Sequence, residues 1–132
     1  MLRRLALRGT VCQTMIHERF DITQEQSANV LQFFMPITLD TMEVDSIIEE
    51  VLKELEARGT ERWVVDLSKV DYLGSSMLGL FVNMRERIRH AGGALVLCGM
   101  SAQLHQIFRN CCLERLFTIA KSRNDALALI SL

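Results

Sequence analysis

Apolar and polar positions along the chain change period several times, and each change predicts an element. Phe20 and Ile22 alternate with Asp21 and Thr23, the period-two pattern of a half-buried strand. The polar stretch 24–29 predicts a turn, and the denser apolar run 30–35 predicts a second strand that pairs with the first as an antiparallel hairpin ending at Pro36. From Asp40 the period becomes helical. Val44, Ile47, Ile48, Val51, Leu52 and Leu55 form one stripe over three turns, with Glu49, Glu50, Lys53 and Glu54 on the solvent side. Asp40 and Glu43 have the spacing of a capping box, and Gly59 stops the helix. A buried strand at 63–67 and a loop at 68–74 follow. A second helix begins near Ser75, buries Met77, Leu78, Phe81, Met84 and Ile88, and ends at Gly92 and Gly93. Residues 94–98 form the next strand. Ser101 to about Cys112 is a third helix with Leu104, Ile107, Phe108 and Cys111 inward. A short strand at 117–120 precedes a final helix, which starts with capping-box spacing at Ser122 and Asp125 and runs through Ile130.

Strands alternating with amphipathic helices imply βαβ units, right-handed crossovers and a mostly parallel sheet. The expected architecture is a single α/β domain: a mixed sheet with an N-terminal antiparallel hairpin at its edge and about four amphipathic helices. A length of 132 residues fits one domain. Residues 1–15 begin with Leu2, Arg3, Arg4 and Leu5, and their apolar stretch is cut by Arg8, too short for a signal peptide. They are set aside as a loose arm, or as sequence upstream of a start at Met15, with the domain proper at 16–132.

Composition narrows the function by exclusion. Fifteen Lys and Arg against sixteen Asp and Glu give a net charge of −1, without the basic excess of a chain that holds nucleic acid directly. No apolar run reaches the roughly 20 residues that span a bilayer, so no membrane insertion is expected. Cys12, Cys98, Cys111 and Cys112 form no C-x-x-C pair, and His17, His90 and His105 fall at no zinc-ligand spacing. No metal site and no cofactor follow. Cys98 reads as a small buried thiol, and reduced cysteines suit the cytoplasm.

The chemistry concentrates between Asp66 and Leu80, where a buried strand leads through a polar loop to Gly74, Ser75, Ser76 and a helix start. Backbone N–H groups there are unpaired and favour negative charge. One serine can cap the helix. Two exceed what a cap requires, which leaves a hydroxyl for a ligand or a modification. A nucleophile elbow would need G-x-S-x-G, but its last glycine is missing and His90 lies near the far end of the same helix. A phospho-aspartate receiver could use Asp66 and Lys121, yet it needs an acidic pair for its divalent ion, and only Asp40 is available. No enzyme activity is expected.

The residues Asp66-Leu67-Ser68-x-Val70-x-x-Leu73-x-Ser75-Ser76-x-Leu78-Gly79 resemble the signature of the STAS domain and, within that family, of the bacterial anti-sigma factor antagonists. Ile37-Thr38-Leu39-Asp40 stands where the family has Gly-Glu-Leu-Asp, and Gly92-Gly93 with the strand that follows is similar to the family's glycine pair. The resemblance implies a phosphorylation-switched binding module. Its phosphoacceptor would be Ser75, modified by a serine kinase that is also the anti-sigma factor. The unphosphorylated antagonist captures that kinase; the phosphorylated one releases it. Asp40, Gly74, Ser76 and Met77 would frame the partner-binding surface. Gly74 replaces a family Asp and Met77 a family Gly, changes expected to retune partner choice. The alternative within the family is a subunit of a stress-signalling scaffold or lipid-transport complex whose serines stay unmodified.

Overall fold

The computed structural model describes residues 3–7, 10–16, 19–34 and 40–131, with the backbone alone for the first two segments. Met35, Pro36, the stretch 37–39 and His17 lie outside the described residues, so the expected strand end at Pro36 is among the positions not described.

In chain order the described elements are β1 (Arg3–Leu7), β2 (Thr10–Ile16), β3 (Phe20–Glu25), β4 (Ala28–Phe33), α1 (Thr41–Arg58), β5 (Arg62–Asp66), α2 (Ser75–His90), β6 (Ala94–Cys98), α3 (Ala102–Asn110), β7 (Thr118–Ala120) and α4 (Arg123–Ile130). The strands lie in one sheet in sequence order. Neighbours from β1 to β4 run antiparallel, and those from β4 to β7 parallel. The five strands β3 to β7 with their four helices are the expected mixed α/β domain. The first fifteen residues, set aside as an arm, contain β1 and most of β2, and the β-branched Thr10, Val11, Thr14 and Ile16 suit a strand. That hairpin joins β3 through only two residue pairs, Met15 with Ile22 and Ile16 with Asp21.

Strand alternation sorts the apolar residues onto two faces. Phe20, Ile22, Leu31, Phe33, Trp63, Val65 and Leu97 pack under α1, α2 and α3. Val30, Val64, Val96, Cys98 and Ala120 pack under α4, which supplies Ala126, Leu127 and Ile130. The sheet is therefore the middle of three layers.

The elements follow the sequence closely, and the departures have local causes. The β3–β4 pairing runs six residues, from Phe20–Phe33 to Glu25–Ala28, so the turn shrinks to Gln26 and Ser27. Polar residues can extend a hairpin when one side of it is wet. Both turn residues have positive φ, 51° and 68°, the geometry that favours Asn-Gly. Replacing Gln26 by Asn and Ser27 by Gly relieves an L residue of a left-handed conformation costing about 1–2 kcal/mol. The double variant should raise the urea midpoint at unchanged slope.

In α1, Asp40 Oδ1 accepts from the Glu43 N–H at 2.8 Å, while the Glu43 carboxylate accepts from Arg19 at 3.4 Å. Glu54, expected in solvent, is buried and accepts from Arg58 Nε at 3.0 Å. Cys111, expected inward, is exposed, because α3 ends at Asn110 and the chain turns away there.

Candidate functional site

The parallel strands β4, β5 and β6 end at one edge of the sheet, and α1, α2 and α3 begin there. In open α/β sheets this edge is where ligands and partners gather. The chain reaches it from Asp66 through a loop pinned by buried Leu67, Val70 and Leu73. The Leu67 N–H donates to Cys98 O at 2.8 Å, and the Val70 N–H to Leu67 O at 3.1 Å. Ser68, Lys69, Asp71 and Tyr72 point outward.

At the end of this loop Gly74 occupies the N-cap of α2 in extended conformation and offers no side-chain cap. Ser75 and Ser76 are the first two helical residues and both are exposed. Neither hydroxyl has a hydrogen-bond partner among the described residues. The expected capping serine is absent from its post, and both hydroxyls are available. Met77 corrects the sequence reading: it is 2 % exposed and packs in the core with Leu78 and Phe81, so it presents no side chain to a partner. Two exposed apolar residues that the pattern did not single out lie at the same helix starts. Met42, on the first turn of α1, is 82 % exposed, and Tyr72, before α2, is 45 % exposed. Asp40 is exposed at the N-terminus of α1, and α1 packs against α2. Gly79 faces outward with open space where a Cβ would stand, so the interior does not demand a glycine. The serine pair thus follows Tyr72 and Gly74 at the start of α2, while Asp40 and Met42 lie at the start of the neighbouring α1.

Behind the loop, on the α4 face, lies a polar cluster in which Asp66 braces the loop, as its place at the strand end suggests, and whose cation, Arg123, sequence reasoning missed. Arg123, the first residue of α4, donates from Nε to Asp66 Oδ2 at 2.9 Å, from Nη1 to Glu25 at 2.8 Å and from Nη2 to Gln32 at 3.0 Å. Asp66 Oδ1 accepts from the Ser68 N–H at 2.9 Å, and Gln32 donates to the Ser68 hydroxyl at 3.3 Å. Asp66 is therefore the brace for the loop and not an open acceptor. Burial opposes its charge, but the Ser68 bonds and Arg123 prevail and hold its carboxyl below the usual range. Burial, helped by the Asp66 charge, pushes the neighbouring Cys98 thiol up to about 12.

A carboxyl whose folded pKa is depressed stabilises the fold above its unfolded value near 3.9 and loses that contribution as pH falls through the folded value. Arg123→Met removes the cation and leaves Asp66 buried. A fully buried pair broken this way costs about 3–5 kcal/mol; with Arg123 partly exposed, about 2–3 kcal/mol is expected at neutral pH. Without the cation the Asp66 carboxyl rises toward or above its unfolded value, so its share of the acid-induced loss shrinks and the gap between variant and wild type should narrow as pH falls. Urea titrations from pH 3 to 7 measure both effects.

His90 is exposed at the far end of α2, about 22 Å from Ser75 at 1.5 Å per residue, and His105 is exposed on α3. Among the described residues no group of three His, Cys, Asp or Glu could hold a metal ion, and no helix is long and apolar enough to cross a membrane.

Comparison with known proteins agrees with this geometry. The family model of the STAS domain matches residues 21–126. BtrV of Bordetella bronchiseptica, named as an anti-sigma factor antagonist, is 31 % identical over 83 residues, covering 61 % of this chain and 72 % of BtrV. An anti-sigma-factor antagonist (STAS) domain protein from Planctomyces limnophilus superposes with a TM-score of 0.75 at 22 % identity, covering 86 % of this chain and 98 % of its own. The Bacillus cell fate determinant SpoIIAA, solved in its phosphorylated form, superposes with a TM-score of 0.62 at 16 % identity, covering 84 % and 98 %.

Proposed function

We propose, from the premise that this chain belongs to the STAS domain family and to its anti-sigma factor antagonists, that Ser75 is the acceptor of a phosphorylation switch. Antagonists of this family are binding modules and not enzymes, and an anti-sigma factor is the partner class they imply. Here that partner is a serine kinase. It docks over Ser76, Gly74 and Asp40, with Met42 and Tyr72 as apolar anchors, and the encounter takes place in the cytoplasm. Phosphorylation of Ser75 releases it.

The observation that carries this reading is the Ser75 hydroxyl, exposed and unpartnered at the start of α2. A phosphoryl group there adds about −1.5 to −2 charges beside unpaired N–H groups at the positive end of the helix. The fold tolerates that charge. An apolar partner surface resting on Met42 and Tyr72 does not. The solved phosphorylated form of SpoIIAA supports the same reading by likeness of fold.

The test is labelling by the cognate kinase. Phosphate should enter at Ser75, Ser75→Ala should abolish it, and Ser76→Ala should leave part of it. Phosphate at Ser68, at Ser101 or nowhere by mass spectrometry would reject Ser75 as the acceptor.

A further inference from the structure

The turn that ends α3 carries two thiols the switch does not use. Cys111 and Cys112 are adjacent, free and exposed, whereas Cys98 is buried in the sheet. The helix ends through their main chain: the Cys111 N–H donates to Ile107 O at 3.1 Å, the Cys112 N–H to Arg109 O at 3.0 Å and the Leu113 N–H to Phe108 O at 2.8 Å. Cys112 takes φ of 59°, a left-handed conformation that glycine adopts freely at helix ends and an L side chain only at a cost. An ion pair from Arg109 Nε to Glu114 at 3.5 Å spans the turn. Residues in sparsely populated conformations persist where the surroundings hold them, and they gather at functional sites.

Chemistry limits what two such thiols can take. Neighbouring Cα atoms stand about 3.8 Å apart, closer than the roughly 4.4–6.8 Å a disulfide spans. The sulfurs are therefore disfavoured from closing on each other. Zinc asks for four ligands, and among the described residues no third His, Cys, Asp or Glu completes a metal-holding group. A soft centre satisfied by two sulfurs fits, since bridging through one inserted atom makes a larger and less strained ring than a disulfide.

We propose that Cys111 and Cys112 form a vicinal dithiol site that takes a trivalent arsenical across both sulfurs. With phenylarsine oxide, two As–S bonds form and the As–O double bond breaks. The oxygen leaves with both thiol protons as one water, and arsenic stays trivalent. The site lies at the C-terminal end of α3, while Ser75 lies at the edge where α3 begins, so it is separate from the switch.

The full chain, incubated with phenylarsine oxide, should gain one adduct by intact mass. Peptide mapping should show Cys111 and Cys112 both protected from alkylation, with protection reversed by a dithiol such as dithiothreitol and not by an equimolar monothiol. Losing one thiol removes the chelate, so Cys111→Ser and Cys112→Gly should each bind on the order of a hundredfold more weakly. Cys112→Gly should fold at least as stably as the wild type, since glycine suits φ of 59°, and this separates lost binding from lost structure. Cys12→Ser should bind as the wild type does. An adduct on Cys12 or Cys98, single variants of the pair binding as tightly as the wild type, or no adduct at all would overturn the proposal.

Discussion

Ser75→Asp is expected to leave the domain folded and strip it of its anti-sigma factor partner. Two effects of one carboxylate are being compared. In the free protein the added charge sits on the first residue of α2, whose N-cap is Gly74 and supplies no side-chain bond. An anion in a first turn stabilises by about 0.3–1 kcal/mol, so the melting temperature should hold or rise slightly. In the proposed complex the same carboxylate would meet a partner surface resting on Met42 and Tyr72. An unpaired charge buried at an interface costs on the order of 2–5 kcal/mol, roughly thirtyfold to several-thousandfold in Kd. Ser75→Ala removes no cap and no hydrogen bond, and should bind as well as the wild type or better. Isothermal titration beside thermal melts reads both quantities. A Ser75→Asp chain that loses its partner because it unfolds would make Ser75 a structural residue, and one that binds normally would remove the switch.

The elements of this fold were legible because their signals are local. The stripe from Val44 to Leu55 lies within one helix, and its cap, Asp40, sits three residues from the N–H it accepts. Ser101 and Ser122 cap α3 and α4 in the same way. The serine pair was legible for the same reason, as a strand, a loop and a helix start in one continuous segment. What stayed hidden depends on distant chain segments. Arg123 meets Asp66 across 57 residues, Gln32 across 91 and Glu25 across 98, and no spacing rule reaches that far. Glu54 and Arg58 are a local pair four residues apart, but their burial comes from packing that the helical stripe does not show. Met77 was read both as core and as docking surface; helical periodicity decides for the core, because it shares a face with Phe81 and Met84. Met42 and Tyr72 carried no periodic signal, since an apolar residue at an exposed helix start or loop breaks the pattern.

Gly93→Ala is expected to cost far more than the change of one methyl group suggests. A Cβ at this position would stand 1.8 Å from Thr60 O, 2.7 Å from Glu61 O and 2.9 Å from Thr60 C, all backbone atoms that no rotamer change can move. The crowding falls where β5 and β6 begin their pairing. The Ala94 N–H donates to Glu61 O at 2.8 Å, the Gly93 N–H donates to Ile88 O at 2.8 Å, and Arg62 pairs with Ala94 in register. Making room therefore means parting two central strands above Trp63, which is fully buried. Overpacking of this kind costs about 1–3 kcal/mol and a broken backbone hydrogen bond about 1 more, so a loss of roughly 2–4 kcal/mol is expected. Against a total of about 5–15 kcal/mol for a domain, that should lower the melting temperature by roughly 10 °C or more. The neighbouring glycine is the control. Gly92 has φ of +81° but nothing within 4 Å of its would-be Cβ, so Gly92→Ala meets conformational strain alone, about 1–2 kcal/mol. Both variants lie at the sheet edge opposite Ser75, and kinase labelling of Ser75 at low temperature should survive in each. A Gly93→Ala chain that melts no lower than Gly92→Ala would show that the two strands part easily, and the close approach at Thr60 would then carry no weight in the fold.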